Sequence, residues 1–162
     1  PRLVFARRPQ RVVYFYWLDV EFGLILRVET VINQAVFQSH ANNMIIIRDI
    51  EVYSMCEHHM LPFIGKAHVA YISSGKVIGL SKLNRIVQYY SKRPQVQERL
   101  TNQILVALQT LLGTEDVAVS IDATHYCVKS RGVMDSNSQT STTALGGCFI
   151  DNIHTRAEFL NP

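Results

Sequence analysis

Soft metal-binding side chains cluster in the run Cys56-Glu57-His58-His59. Cys56 and His59 stand three positions apart, so within one helical turn they project to the same side. Zinc accepts both thiolate and imidazole, and a catalytic site takes three protein ligands and leaves a fourth position open. A third soft ligand must come from elsewhere in the chain. Cys127 is the best candidate, two residues after His125 at the end of an alternating stretch that puts both side chains on one strand face. Adjacent residues diverge, so His58 does not share an ion with its neighbours. His58 and His125 instead suit proton transfer beside the metal, because imidazole changes charge near neutral pH. Taken singly, each cysteine reads more simply as a small buried apolar residue and each histidine as a solvated one. The combination points to a metal. Cys148 has no polar company and reads as core.

A second constellation is basic. Ser81-Lys82-x-x-Arg85 opens a predicted helix, whose N-terminus offers free backbone N–H groups and a positive dipole end to phosphate. Arg131 follows Cys127 closely and can bring a guanidinium to the same region, and guanidinium forks match phosphate oxygens in pairs. Standing alone, these residues read equally as a solvated basic helix face. Gln97-Glu98 sits near the start of the next predicted helix, where the dipole favours an acidic residue.

Periodicity supplies the elements that position these groups. Arg11, Val12, Phe15, Leu18 and Phe22 recur at helical intervals, and Leu24 to Gln38 reads as a second helix. Asn43 to Ser54 reads as a strand, with Ile46, Ile50 and Val52 on one face and Ile45, Ile47, Asp49 and Glu51 on the other. Gly65 to Ile72 is its antiparallel neighbour. Ser81 is the expected N-cap of a helix to about Lys92, with Ile86, Val87 and Tyr90 inward. Pro94 is expected to open the next helix, carrying Val96, Leu100, Ile104, Leu108 and Leu111 inward, with Gly113 as its stop. Val117 to Cys127 alternates as a strand, Thr140 to Ile150 reads as a last strand, and Thr155 to Leu160 as a short helix. This order predicts an α+β domain with an antiparallel sheet. It divides into a helical segment over residues 1–42 and one compact unit over 43–162.

Composition bounds the rest. The 162 residues are 48% hydrophobic and 18% charged, which suits a folded chain with a real core. A net charge of +3 without a clustered basic run argues against nucleic acid as a partner. No stretch is apolar for long enough to span a bilayer. Three cysteines argue against a disulfide scaffold and for a reducing, cytoplasmic setting.

Several long motifs, in order, resemble the GTP cyclohydrolase I family. They are Ser54-Met55-Cys56-Glu57-His58-His59, the stretch from Gly65 to Ile72, Val77 to Lys82 with Asn84-Arg85, Arg93 to Leu100, and His125-Tyr126-Cys127 with Arg131-Gly132-Val133. The likeness runs from about Met44 to Leu160. It implies a tunnelling fold: an antiparallel four-stranded sheet with two helices on one face, preceded by N-terminal helices. It implies a homodecamer of two pentamers, with active sites at subunit interfaces and one zinc ion per subunit. It puts the zinc ligands on Cys56, His59 and Cys127, and the catalytic residues on His58, His125 and Ser81. GTP would be held at the guanine by Glu98 beside Gln97, and at the triphosphate and ribose by Ser81, Lys82, Arg85 and Arg131. Arg11 also matches the family, which has lysine where this chain has Tyr14. The activity implied is conversion of GTP and water to dihydroneopterin triphosphate and formate, which leads to tetrahydrofolate or tetrahydrobiopterin. A nitrile oxidoreductase of the same fold superfamily would instead use a cysteine nucleophile and NADPH, without this ligand set.

Overall fold

The computed structural model describes residues 36–38 and 43–161, all within one compact unit. Arg11, Tyr14 and the first predicted helix lie outside the described residues. So does most of the second, whose last three residues form a strand. Val36–Gln38 (β1) pairs antiparallel with Lys76–Ile78 (β4), placing Val36 opposite Ile78. β-Branched and aromatic side chains favour this ladder over a weak helical pattern.

The main sheet has strand order β5-β2-β3-β6-β7. Met44–Cys56 (β2), Pro62–Ile72 (β3), Val117–His125 (β6) and Thr140–Leu145 (β7) each run antiparallel to the next in the sheet, as expected. Pro94–Gln95 (β5) adds a short parallel edge beside Met55 and Cys56, so the sheet is mixed. Pro94 therefore does not open a helix. It sits on an edge strand, where its missing N–H costs no ladder bond.

β2 changes faces midway. Its register with β3 shifts between Ile47 and Ile50, and Asp49 takes a left-handed conformation with φ 59°. An inserted residue of this kind reverses the inward set. Ile46 therefore does not share a face with Ile50 and Val52, contrary to the simple alternation. Met44 and Ile46 pack with Phe149 and Phe159 on one side of the sheet. Ile50, Val52 and Ser54 are buried on the other, where the sheet meets a helix. The N–H of Asp49 donates to His68 Nδ1 at 3.3 Å, and its carboxylate pairs with Lys66 at 2.8 Å.

Leu80–Ser91 (α1) buries Leu83, Ile86, Val87 and Tyr90, and Gln97–Leu112 (α2) buries Leu100, Ile104 and Leu108. α1 packs on β2, and α2 on β6 and β7. The α1 cap is Gly79 rather than Ser81. Lys82 N–H already bonds Gly79 O at 2.8 Å, which makes Ser81 an exposed residue of the first turn. Gly113 ends α2 as expected, with φ 67° and its N–H on Gln109 O. β6 stops at His125, and Tyr126–Lys129 forms a helical turn (α3), so Cys127 is not part of the strand. β7 stops at Leu145, before two glycines and the turn Cys148–Asp151 (α4). Ile153–Leu160 (α5) begins at Asn152, whose side chain accepts from His154 and Thr155 N–H.

Gly65 lets β3 and β6 approach. A Cβ there would lie 2.0 Å from Asp122 O and 2.6 Å from Ala123 Cα. Backbone cannot yield as a side-chain tip can. Gly65→Ala is expected to destabilise the fold by about 1–3 kcal/mol or more. Denaturant unfolding reads this, and an unchanged midpoint would show that the strands part freely.

Candidate metal centre and active site

One end of the sheet gathers the chemistry. Cys56 closes β2, and the turn after it is held by Met60 N–H on Cys56 O at 2.8 Å. This α-type turn brings His59 back, so that its Nδ1 stands 3.7 Å from Cys56 Sγ. β3 begins at the same end. Its Phe63 lies opposite His125, the last residue of β6. The α3 turn then swings Cys127 toward the other two donors. One ligand atom each from Cys56, His59 and Cys127 lies within 4.8 Å of the others.

The donor set fits a tetrahedral zinc ion. Zinc–sulfur and zinc–nitrogen bonds of about 2.3 and 2.0–2.1 Å give a sulfur–nitrogen edge of about 3.6 Å, close to the observed 3.7 Å. Cys56 is buried, Cys127 half-buried and His59 exposed, so the cluster is anchored inside and open outside. Burial first, and then the neighbouring Cys56, push the Cys127 thiol up. A cation between the two sulfurs would reverse that cost, because a coordinating thiol is deprotonated.

His125 sits beside this cluster in a fixed pose. Its ring stacks on buried Phe63 with centroids 4.7 Å apart. Its Nε2 lies 2.6 Å from Gln97 Oε1. Gln97 Nε2 is surrounded by acceptors, Ile121 O and Thr140 O at 2.9 Å and Thr142 Oγ1 at 3.1 Å. The amide oxygen must therefore face the histidine, and His125 Nε2–H donates to it. The neutral ring then carries its lone pair on Nδ1. Burial lowers the His125 pKa, and the nearby charge of Glu98 partly opposes this.

Gln97 is almost fully buried and both its polar atoms are engaged. Its side-chain oxygen holds His125 Nε2. Burial was not legible in the sequence, because the partners of Gln97 lie 24 to 45 positions away. Glu98 is exposed in the first turn of α2, next to this end of the sheet. His58 is exposed, with its ring centroid 6.2 Å from that of His59. Arg131 is also exposed and near enough to Cys127 to favour its thiolate.

Ser81, Lys82 and Arg85 lie on α1, which begins away from this gathering. Ile78 N–H, just before α1, bonds Tyr71 Oη at the far end of β3. Tyr71 is eight residues along from Phe63, about 26 Å of strand. α1 then returns toward the metal end, where Ser54 Oγ donates to Arg93 O. α1 thus spans the sheet from the end at Tyr71 to the end at Ser54, with Ser81 in its first turn.

A sequence profile described as GTP cyclohydrolase I matches residues 2–162. The chain belongs to the GTP cyclohydrolase I family. It is 56% identical over 155 residues to GTP cyclohydrolase 1 of Aeromonas hydrophila, covering 96% of this chain and 71% of that one. To the Vibrio cholerae protein of the same name it is 56% identical over 153 residues, covering 94% and 70%. To that of Shewanella sp. it is 54% identical over 160 residues, covering 96% and 72%. These relatives bear out the enzyme class read from the motifs. Among solved structures, the archaeosine synthase QueF-Like in the apo form is similar in fold, with a TM-score of 0.55 and 16% identity. That likeness covers 66% of this chain and 96% of that one. Among the described residues, no helix is long and apolar enough to cross a membrane.

Proposed function

We propose that this GTP cyclohydrolase I is zinc-dependent and opens the imidazole ring of GTP with water, giving 7,8-dihydroneopterin triphosphate and formate. The observation that carries the reading is the meeting of Cys56, His59 and Cys127 beside a neutral, oriented His125. A zinc ion held by those three would supply Lewis-acid activation of water at neutral pH.

The chain's own residues do the rest. Glu98 accepts from the guanine N1–H and amino group, which fixes the purine against the start of α2. His125 accepts a proton at Nδ1, since its Nε2–H is committed to Gln97. His58 exchanges protons at the open side of the cluster, and Ser81 assists as the opened ribose rearranges. Arg131 takes charge from the triphosphate near the metal end. α1 begins at the other end of the same sheet and carries Ser81 and Lys82 in its first turn with Arg85 one turn on, so they serve the site of another copy. This separation supports the reading as a homodecamer of two pentamers with active sites at interfaces. The four antiparallel strands, with α1 and α2 packed on them, support a tunnelling fold. Free Cys56, Cys127 and Cys148 suit a reducing cytoplasm. The product would enter pterin synthesis toward tetrahydrofolate or tetrahydrobiopterin.

Incubation with GTP followed by oxidation is expected to give pterin fluorescence together with formate in equal amounts. Chelation should abolish both, and zinc should restore them. Full activity in zinc-free protein would overturn the metal dependence, and no product from zinc-loaded protein would overturn the reaction.

A further inference from the structure

The turn that carries the metal ligands is tied to α2 by an ion pair that the chemistry above does not use. Arg99 forks onto Glu57, with Nη1 on Oε1 at 3.2 Å and Nη2 on Oε2. Arg99 Nε also donates to Gln95 Oε1 at 3.2 Å. Gln95 is 1% exposed, and its Nε2 donates to Tyr90 O and Gln103 Oε1, both at 2.9 Å. Glu57 N–H bonds Gln95 O at 3.1 Å, so backbone and side chain converge on one clamp.

Two features make this pair costly as mere structure. Arg99 is in the first turn of α2, where the helix dipole disfavours a cation. The two side chains are only 22% and 14% exposed, so both charges are largely withdrawn from water. A pair this buried is weak support for stability, because desolvation offsets the attraction. Its position suggests another use. Glu57 lies between Cys56 and His58, and Arg99 follows Glu98. The clamp thus joins the residue next to a metal ligand to the residue next to the guanine acceptor.

We infer that Glu57 and Arg99 are positioning residues, which set the distance between the metal-binding turn and the carboxylate that holds the purine. The inference rests on the proposed metal site and on the role given to Glu98. Partners that orient metal ligands from behind typically change metal affinity about 10–100-fold when removed. The clamp acts on both geometry and metal retention, whereas a plain stabilising contact acts on neither once the protein is folded.

The test uses cobalt(II) as a spectroscopic stand-in for zinc in full-length protein carrying Arg99→Met, Glu57→Gln, both changes, or Arg99→Lys. Folded Arg99→Met and Glu57→Gln proteins should show shifted thiolate-to-cobalt bands and release metal to a chelator about tenfold faster or more. Their kcat with GTP should fall about 10–100-fold, with KM changed less than about threefold. The double variant should be no worse than the worse single one, since both break the same contact. Arg99→Lys keeps the charge and loses the fork, so it should fall between parent and Arg99→Met. It also preserves the test if the harsher variants do not fold. Parental spectra, release rates and kcat in folded variants, Arg99→Lys included, would overturn the proposal. A parent that binds no cobalt through its thiolates would remove the metal reading and this inference with it. A parent that binds cobalt, with unresponsive variants, would remove this inference alone.

Discussion

Cys127→Ser is expected to leave a folded protein that neither keeps zinc nor turns over GTP. Cys127 sits on a short helical turn at the edge of the cluster, and its side chain is only half-buried. Serine fills the same space, so the fold should hold. The ligand set loses one of two thiolates, and hydroxyl oxygen is a poor substitute for sulfur at zinc. Metal content should drop from about one ion per subunit to a small fraction of that after dialysis. The loss in kcat is expected to be on the order of 10³-fold, about 4 kcal/mol of barrier. Elemental analysis and circular dichroism on the same sample separate metal loss from unfolding. Stoichiometric zinc in the variant would remove Cys127 from the ligand set.

Glu98→Gln should be nearly as damaging, for a different reason. In the proposed role the carboxylate would accept two donors from guanine, whereas an amide would offer one acceptor and turn a donor toward a donor. Losing a charged hydrogen-bond partner costs about 1.5–3 kcal/mol, so kcat/KM should fall on the order of 10²-fold. Zinc content should stay at the parental level, which distinguishes this variant from the first. The change also removes the charge that raises the His125 pKa against burial. The acid limb of kcat should therefore move to lower pH. An unchanged kcat/KM would sink the assigned role of Glu98.

The ligand types and the Cys56–His59 spacing were legible in the sequence because a single turn delivers them. Cys127 reaches the cluster with Cys56 and His59 by a different local route from the alternation read in the sequence. The strand ends at His125, and a helical turn, not alternation, carries the thiol inward. The four antiparallel strands followed from β-branched runs and turn residues. The short parallel strand at Pro94 did not, because its pairing with Cys56 is set by tertiary contacts. Periodicity also missed the face change in β2, which depends on one backbone angle at Asp49. Gln97 and Arg99 could not be given their partners, since their key contacts span 28 and 42 positions. That α1 begins at the sheet end away from the metal cluster follows from chain direction, which local pattern does not record.

The bulge at Asp49 makes β2 a shared wall. Its first half supports the small core of Ala70, Ala118, Phe149 and Phe159, and its second half supports the layer beneath α1. The two hydrophobic compartments lie on opposite faces of the sheet, and β3 and β6 also contribute to both, through Ala70 and Ala118 on one face and Val69, Tyr71, Val117 and Val119 on the other. Native-state hydrogen exchange should therefore resolve two cooperative units. Amides of the C-terminal segment should then exchange faster than those of the strands beneath α1. A substitution that loosens the packing of Phe159 on Phe149 should accordingly raise exchange around α5 more than around the turn after Cys56.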